Sequence, residues 1–391
     1  MPIRDAAVTD GCLGCSLSKL ILRKLEKSTS AFSGGVLISI DFGAFMSNIA
    51  RLLRLFPAEL ALDVGTANTR IYVRGSGLVL DEASVICVHQ PDPLVAGARP
   101  TQSVGAKARE MLERLPRHIE AICPIRGGVI SHFGASQEMI RHFFGLAHQG
   151  RRLSAAPRIT ITVPSGATAV ERRAFREAVH GAGASRVSLL ARPIAAALGA
   201  GLSISDAIGC MVVDVGAGTT EIGVIALGNV VHCLSARVGG NSFDEAIINH
   251  VRRTHGLLIG EHTARKVKMA IGGAMPRETE CHVKITGRNL SEGVPRTSLL
   301  SSHEVLEALT DPLAKIVSLL KSALESTPPE LASDIADRGL ILTGGGALLH
   351  DLDRRLREET GLPVVLADAP MTCVVRGTGM AMETLATHYF E

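Results

Sequence analysis

From residue 61 onward, the order of apolar and polar residues predicts short strands separated by helices. Apolar, β-branched runs such as residues 158–164 and 211–213 have the length of strands. Residues 169–180 are predicted to form a helix that begins after the hydroxyl of Thr168, which is a common N-cap. Because strands that alternate with helices are typical of α/β lobes, the pattern predicts an α/β fold. Residues 1–58 do not share this pattern.

Two segments repeat one arrangement, in which an apolar run ends in an aspartate and a glycine turn leads into a second strand-like run. They read ALDVGTANTRIYV over residues 61–73 and MVVDVGAGTTEIGVI over residues 211–225, with Asp63 and Asp214 in equivalent places. A turn with few side chains lets an anion approach backbone N–H groups. A carboxylate at the strand end can face Mg²⁺, directly or through water. The repetition predicts two duplicated lobes whose hairpins hold a polyphosphate and its metal.

A third glycine-rich element follows the predicted strand 339–343. Gly344, Gly345 and Gly346 lead into a predicted helix over residues 347–360. A strand, a glycine turn and a helix N-terminus together offer close backbone approach and a positive dipole end to a nucleotide. Nearby, residues 304–326 have a helical pattern that we expect to be interrupted at Pro312, and residues 272–296 are polar with one predicted strand at 282–285.

The segment from Met46 to Phe56, MSNIARLLRLF, is predicted to form an amphipathic helix. An apolar face beside a cationic face suits the surface of an anionic membrane, but it equally suits a helix that packs on the protein's own core. Residues 1–45 are interpreted as an upstream extension. They show no clear small-residue cleavage site after an apolar segment, which disfavours a secretory signal.

Length and composition narrow the classes of function. A chain of 391 residues is too long for one ordinary core and favours two lobes. Aromatic residues make up 3% with no Trp, and the net charge of +3 is dispersed, so no nucleic-acid partner is expected. Only Cys12 and Cys15 form a C-x-x-C, which predicts free thiols in a reducing cytoplasm and not a zinc site. No apolar run is long enough to span a bilayer.

Five segments occur in an order that resembles the actin-like ATPase superfamily, and their amino-acid sequences are similar to those of the bacterial MreB family. The segments are residues 63–69, 181–201, 214–220, 263–272 and 342–346. Long phrases carry the likeness, among them LDVGTANTRIYVRGSGLVLDEASV, VVDVGAGTTEIGVI, GGNSFDEAIINHVRR and PPELASDIADRGLILTGGGALL. The likeness runs from about residue 46 to near the C-terminus.

The resemblance implies an actin-like ATPase fold, with two duplicated lobes and four subdomains around a nucleotide cleft. It implies an N-terminal extension over 1–58 that contains the helix 46–56. Lobe I would span 59–203, with a small subdomain at about 86–122, and the C-terminal residues 372–391 would close it. Lobe II would span 204–371, with a small subdomain at about 240–325.

The resemblance also implies ATP or ADP with Mg²⁺ as cofactors, and it assigns site residues by position. The metal carboxylates would be Asp63 and Asp214. Residues implied to contact the nucleotide are Gly65, Thr66, Ala67 and Asn68 in the first phosphate loop; Gly216, Ala217, Gly218, Thr219 and Thr220 in the second; Gly344, Gly345 and Gly346 beside the adenosine; and Lys268 near the nucleoside.

Several positions depart from the family pattern. Arg192 stands where the family has a Glu that positions the attacking water, and a guanidinium cannot act as a base near neutral pH. Losing such a group commonly costs about 10²–10⁴-fold in rate, so we expect nucleotide binding with slow or absent hydrolysis. Arg265 replaces a usual acidic residue at the ribose, Ala217 replaces a usual Gly, and the loop 151–155 is basic and only weakly apolar where some relatives have a membrane-inserting tip.

The leading functional hypothesis is therefore a cytoskeletal protein that forms homopolymeric filaments. It would lie in the cytoplasm on the inner face of the membrane, attached through residues 46–56, and would act with membrane-bound wall-synthesis proteins in cell shape. The alternatives are a sugar kinase-like enzyme and a chaperone-type ATPase. A kinase needs a substrate carboxylate base that no phrase shows, and a chaperone needs a peptide-binding domain for which the chain has no room.

Overall fold

The structure is a computed structural model that describes residues 58–89, 101–112, 119–147, 156–384 and 390. Its strands, in chain order, are β1 Glu59–Val64, β2 Asn68–Val73, β3 Gly77–Ala83, β4 Ile86–His89, β5 Thr101–Val104, β6 Ile119–Ile122, β7 Ile125–Arg126, β8 Val129–Ile130, β9 Arg158–Val163, β10 Arg186–Ala191, β11 Cys210–Val215, β12 Thr220–Ala226, β13 Asn229–Ala236, β14 Leu257–Leu258, β15 His282–Asn289, β16 Pro295–Ser301, β17 Leu340–Thr343 and β18 Val364–Leu366. Its α-helices are α1 Ala106–Leu112, α2 Phe133–Ala147, α3 Ala169–Gly181, α4 Arg192–Gly199, α5 Gly240–Thr254, α6 Glu261–Ile271, α7 Ser302–Glu325, α8 Pro329–Arg338, α9 Leu352–Thr360 and α10 Cys373–Thr384.

Two five-stranded sheets with the same connectivity form the frame of the protein. The first has the strand order β10-β9-β1-β2-β3, and the second, read in the opposite direction, has the order β18-β17-β11-β12-β13. In each sheet the first three strands run antiparallel as a meander, and the two later strands add in parallel on the other side of the first. The predicted duplication is therefore present at the level of strand pairing.

Burial explains why the strands could be predicted from the sequence. All residues of β11 and β12 are buried, so the apolar runs are nearly continuous, as expected for strands covered on both faces. Most of β1 and β9 is buried in the same way. Each sheet packs against its own large apolar cluster, which also takes in the helices that follow it in the chain.

Helices α4 and α10 lie together between the two sheets. They share an apolar cluster with residues of β10, β11 and β12, which belong to both sheets. The two helices approach closely because glycines face backbone at the crossing. A Cβ atom on Gly199 would lie 1.8 Å from the Cys373 carbonyl oxygen, and one on Gly377 would lie 1.8 Å from the Ala195 carbonyl oxygen. This pair of helices connects the two sheets under the hairpins.

Two three-stranded sheets accompany this frame, besides the two-stranded pair β7–β8. One has the order β5-β4-β6 within residues 86–122, and the other has the order β14-β15-β16. The C-terminal helix α10 packs on the five-stranded sheet β10-β9-β1-β2-β3, where Gly379 lies against Tyr72 of β2. These features suit the predicted lobes and subdomains, whose boundaries stay predictions.

The interruption predicted near Pro312 was wrong. Helix α7 runs without a break from Ser302 to Glu325 with Pro312 inside it. A proline within a helix costs about 3 kcal/mol. The neighbours Leu309, Leu313 and Ile316 are fully buried, and each such side chain contributes about 1.5–3 kcal/mol, which outweighs that cost.

The helix predicted directly after the three glycines was also wrong. Residues Gly345–Leu348 form a short 3₁₀ turn, and α9 begins only at Leu352. Ala347 and Leu349 are both buried, a two-residue spacing that one face of a helix does not provide. Asp351 has a φ of 57°, so the chain changes direction before α9. In the polar stretch predicted to be broken, β15 extends to Asn289 and pairs with β16 as a hairpin.

Several predictions concern residues outside the described part of the chain. They are the helix 46–56, the extension 1–45 with Cys12 and Cys15, and the loop 151–155. Within the described ranges the six cysteines form no disulfide. Among the helices of those ranges, none is both long and apolar enough to cross a membrane.

Candidate functional site

The two repeated hairpins close in the same way. Four tip residues follow the last paired residues in each hairpin, and the first tip residue donates its N–H to the fourth. The distances are 3.0 Å from Gly65 N to the Asn68 oxygen and 2.8 Å from Gly216 N to the Thr219 oxygen. The tips 65–68 and 216–219 are half-buried, whereas the strand residues on both sides of them are buried. The tips are thus the accessible ends of two otherwise covered hairpins.

The structure brings these two tips together. A Cβ atom on Gly218 would lie 2.6 Å from Thr66 Oγ1, so a larger residue at 218 would collide with the first hairpin. The β7–β8 turn completes the contact, because Gly128 N donates to Thr66 Oγ1 at 3.5 Å. A Cβ atom on Gly128 would lie 3.1 Å from Thr219 Cγ2. Sequence reasoning missed this turn, and the adjacent glycines Gly127 and Gly128 were the available signal.

Helix α5 holds the second tip from behind. The N–H groups of Gly240 and Asn241 donate to the carbonyl oxygens of Gly216 and Ala217, at 3.0 and 2.8 Å. Ala217 is not among the described non-glycine residues with a positive φ. Its methyl group is therefore accommodated without backbone strain, and the replacement of the usual Gly is mild.

Lys268 is engaged by α5. Its Nζ donates to the Gly240 carbonyl oxygen at 2.8 Å and forms an ion pair of 2.7 Å with Asp244 Oδ1. Burial lowers the pKa of Lys268, and the Asp244 carboxylate opposes that change. Arg265, where an acidic residue is usual, also pairs with Asp244, at 3.5 Å. Asp244 therefore anchors both cations.

The three glycines differ in their surroundings. Gly344 has a φ of 85°, and a Cβ atom there would lie 2.4 Å from the Val215 carbonyl oxygen. Gly346 is equally constrained, since its Cβ would lie 2.4 Å from Val215 Cγ1. Gly345 alone of the three is exposed, and its nearest neighbour would be Met371 Cγ at 3.9 Å. Gly344 and Gly346 are required by packing against β11, and Gly345 offers accessible backbone.

The two equivalent aspartates share one cation. Arg192 Nη2 lies 2.6 Å from Asp63 Oδ1, and Nη1 lies 3.5 Å from Asp214 Oδ2. Each carboxylate also accepts a hydrogen bond from the parallel strand beside it: Thr162 Oγ1 donates to Asp63 Oδ1 at 3.1 Å, and Thr343 Oγ1 donates to Asp214 Oδ1 at 3.2 Å. The duplication thus includes an Asp–Thr pair in each sheet, and Arg192 lies between the two pairs.

Burial and charge act against each other at this triad. Burial lowers the pKa of Arg192, but the charges of Asp63 and Asp214 outweigh it and the pKa is raised. Burial raises the pKa of Asp214, and the Arg192 charge opposes that rise. Because the guanidinium cannot lose its proton near neutral pH, the cation between the two aspartates is permanent.

Two functional candidates were missed by sequence reasoning. Glu221 lies on β12 and accepts a hydrogen bond from Ser165 N at 2.6 Å; burial raises its pKa to about 7 although Arg192 opposes the rise. An acidic residue inside an apolar strand run was the signal for it. Arg109 on α1 donates to the Ala67 carbonyl oxygen and, at 3.2 Å, to Asn68 Oδ1, so a cation lies on the first tip.

The arrangement does not fit a Mg²⁺ ion bound directly by Asp63 and Asp214. Both carboxylates face a guanidinium that already balances one of their charges. In the described ranges no group of three or more His, Cys, Asp and Glu side chains could hold a metal ion. The tips, by contrast, suit a polyanion, because they combine accessible backbone with the nearby cations Arg109 and Lys268.

Comparisons with known proteins agree with this architecture. A family model described as MreB/Mbl protein matches residues 57–389. The cell shape-determining protein MreB of Escherichia coli (strain K12) is 52% identical over 334 residues, which are 85% of this chain and 96% of that protein. The crystal structure of MreB 5 of Spiroplasma citri bound to AMPPNP has a TM-score of 0.77 and 31% identity, covering 83% of this chain and 96% of that one. The MamK double helical filament has a TM-score of 0.71 at 21% identity, covering 85% and 100%, and this likeness concerns the fold alone. The predicted actin-like α/β fold is confirmed.

Proposed function

The chain belongs to the MreB/Mbl family of actin-like proteins, and from this membership we propose that it binds ATP or ADP between its two hairpins, polymerises and takes part in determining cell shape. The relative from Escherichia coli carries the name of a cell shape-determining protein, and the relative from Spiroplasma citri was crystallised with AMPPNP. This chain spans nearly the whole length of both.

The observation that carries the proposal is the meeting of the two hairpin tips. Thr66 of the first tip and Gly218 of the second are in contact, and both tips are accessible. Backbone N–H groups at such turns can bind phosphate oxygens. Gly345, whose backbone is exposed, directly follows Gly344, whose Cβ position lies 2.6 Å from Asp214 Oδ1, and we expect it to approach the nucleoside. We propose nucleotide binding without magnesium, because the two carboxylates predicted to hold the metal face Arg192.

Polymerisation is expected to be head-to-tail, because a heterologous contact that does not close into a ring gives open filaments. Sedimentation and negative-stain electron microscopy of the full chain with ATP, ADP or AMPPNP test this. We expect nucleotide-dependent filaments. The absence of polymer in every nucleotide and lipid condition would contradict the cytoskeletal role.

Nucleotide binding is tested by Gly218→Val. The added side chain would enter the space of Thr66 Oγ1, 2.6 Å from the Cβ position. The collision would force the two tips apart, so ATP affinity measured by calorimetry should fall about tenfold or more, a loss of about 1.4 kcal/mol of binding free energy. The control is Gly145→Ala on α2, where a Cβ atom meets nothing within 4 Å. Equal affinities of the two variants would argue against a nucleotide between the tips.

We propose further that hydrolysis is slow, because Arg192 cannot accept a proton from water. Phosphate release by the unmodified chain should be barely above background, and Arg192→Glu should raise it by about 10²-fold or more. Brisk phosphate release by the unmodified chain would contradict this part of the proposal.

Membrane attachment through residues 46–56 is a separate proposal, and with it a location on the inner face of the membrane near wall-synthesis proteins. The segment has an apolar face and a cationic face at helical spacing. Co-sedimentation with vesicles containing about 30% anionic lipid should be lost when residues 46–56 are deleted. Unchanged co-sedimentation after the deletion would favour a helix that packs on the protein itself.

A further inference from the structure

Arg192 lies where the two halves of the protein converge, and it is held there. It is the first residue of α4, and its side chain is only 14% exposed. The next residue, Pro193, packs closely against Gly223 of β12: a Cβ atom on Gly223 would lie 2.4 Å from the Cβ atom of Pro193. Residues 194–197 are buried in the cluster between the sheets. The backbone of Arg192 therefore cannot move the guanidinium out of the site without disturbing this core.

Local structure does not account for a cation at this position. The N-terminus of a helix carries a partial positive charge, which disfavours a cation in its first turn. The first turn of α4 contains no acidic residue to offset it. The partners that stabilise Arg192 are the two aspartates, one from each sheet, with side chains 5% and 6% exposed. Its position is thus set by the carboxylates and not by its own helix.

The net charge of Asp63, Asp214 and Arg192 equals the net charge of an arrangement that holds a divalent metal. Asp63, Asp214 and Arg192 together carry a net charge of −1. Glu221, whose charge also acts on Arg192, would be the same in an arrangement that held a metal. Asp63, Asp214, a Glu at position 192 and one divalent cation would also carry a net charge of −1. One substitution therefore removes a negative charge and adds a positive one, which together replace the charge of the metal.

We propose that Arg192 is an internal cation that takes the place of the divalent metal between Asp63 and Asp214. The nucleotide, whose binding rests on the function proposed above, then binds without a divalent ion. The guanidinium also connects the two sheets at the floor of the cleft whether or not nucleotide is present. Arg192 is a specificity-determining residue that sets metal independence.

The test compares the full chain, Arg192→Glu and the surface charge reversal Arg354→Glu. Arg354 lies on α9, where it is 55% exposed and pairs with Glu358. ATP affinity is measured by calorimetry in Mg²⁺ and in EDTA at matched ionic strength. We expect less than about a twofold difference between the two conditions for the unmodified chain and for Arg354→Glu. Arg192→Glu should bind about tenfold or more weakly in EDTA than in Mg²⁺. A requirement for Mg²⁺ in the unmodified chain would overturn the inference.

A second measurement does not depend on nucleotide. The thermal unfolding midpoint is followed as Mg²⁺ is added to nucleotide-free protein, with NaCl at equal ionic strength as reference. We expect Mg²⁺ to raise the midpoint of Arg192→Glu by about 2 °C or more and to leave the unmodified chain unchanged. Equal responses of the two proteins, whether both rise or neither does, overturn the inference.

The two measurements separate the two proposals. If neither protein binds ATP and yet only Arg192→Glu responds to Mg²⁺, the nucleotide function fails and the internal cation stands. If Arg192→Glu does not fold, Arg192→Gln replaces it in both experiments, because it leaves the two carboxylates without a counter-ion and should gain the same Mg²⁺ response. An unresponsive, folded Arg192→Gln variant counts against the inference.

Discussion

The two halves of this protein repeat the same strands and the same Asp–Thr pair, but only one half supplies a cation. Asp63 with Thr162 and Asp214 with Thr343 have hydrogen bonds of 3.1 and 3.2 Å at equivalent places. After β10 the chain continues through Arg192 into α4, whereas between β18 and α10 it passes through a 3₁₀ turn. The duplication fixes where the carboxylates lie, and a single unduplicated residue decides what lies between them.

The halves differ again just beyond the threonines. In the second sheet, Thr343 is followed by glycines that pack tightly on β11. In the first sheet, Thr162 is followed by Val163 and Pro164, and the chain soon enters α3 through a capping box. Equivalent strands can therefore end in different turns without changing the position of the aspartates. Five predictions test this comparison.

Removing the shared cation should have the largest effect. Arg192→Met leaves two buried carboxylates without a counter-ion, so the free energy of unfolding should fall by about 3–5 kcal/mol in urea titrations. The control Arg354→Met removes an exposed ion pair and should change stability by less than about 1 kcal/mol. Similar losses in both variants would show that the halves do not depend on Arg192.

The glycine turn should be the next most sensitive feature. Gly344→Ala places a Cβ atom 2.4 Å from the Val215 carbonyl oxygen at a φ of 85°, so it should destabilise the fold by about 2 kcal/mol or more. Gly345→Ala meets nothing closer than 3.9 Å and should stay within about 1 kcal/mol of the unmodified chain. Thermal unfolding of both variants measures the difference. Equal losses would mean that the turn tolerates a side chain at either position.

Replacing Thr162 and Thr343 tests whether the two Asp–Thr pairs are energetically equivalent. Thr162→Val and Thr343→Val each remove one hydroxyl donor to a buried carboxylate, so each should lower the free energy of unfolding by about 1–2 kcal/mol. Thr343→Val should also raise the pKa of Asp214, because the Thr343 hydrogen bond lowers it. Urea unfolding gives both losses, and a difference of more than about 1 kcal/mol would break the equivalence of the two pairs.

The smallest effect concerns capping boxes that both halves contain. Thr168→Ala at the N-cap of α3 and Ser301→Ala at the N-cap of α7 should each lower the free energy of unfolding, measured in urea, by about 1 kcal/mol. The Thr168 N–H holds the pKa of Glu171 below its ordinary value of 4.5. Burial raises the pKa of Glu304, but hydrogen bonds from Ser301 and His255 outweigh it and lower the pKa.

A lowered carboxyl pKa sets the sign of the pH dependence. The stabilisation from Glu171 and Glu304 is fully present above the ordinary pKa of 4.5 and is lost as the pH falls through the lower, folded-state value. Unfolding measured between pH 7 and pH 3 should show a smaller acid-induced loss for Glu171→Gln than for the unmodified chain. The same loss in both would exclude a role for this carboxylate.

Much of the fold could be predicted because its signals are local. The strands β11 and β12 are largely apolar because both faces are buried, and Thr168 is the N-cap that the sequence predicts, with Glu171 completing a capping box. The failures arose where tertiary packing outweighs local preference. Pro312 stays within α7 because its neighbours are buried, and Ala347 and Leu349 are drawn into a turn because both enter the core.

The candidate site divides in the same way. The repeated D-V-G-x-x-x-T pattern by itself determined that two hairpins exist, since a glycine turn after an apolar strand is a local preference of the backbone. Only the tertiary structure decided that Thr66 lies against Gly218 and that Arg109 reaches the first tip, because these contacts join residues far apart in the chain. It also decided the role of Arg192. From the sequence, this residue only stands in the place of a usual Glu. In the fold it is the cation between two buried carboxylates. The reason is that the charge of a side chain acts on the groups that the fold brings within a few ångströms of it.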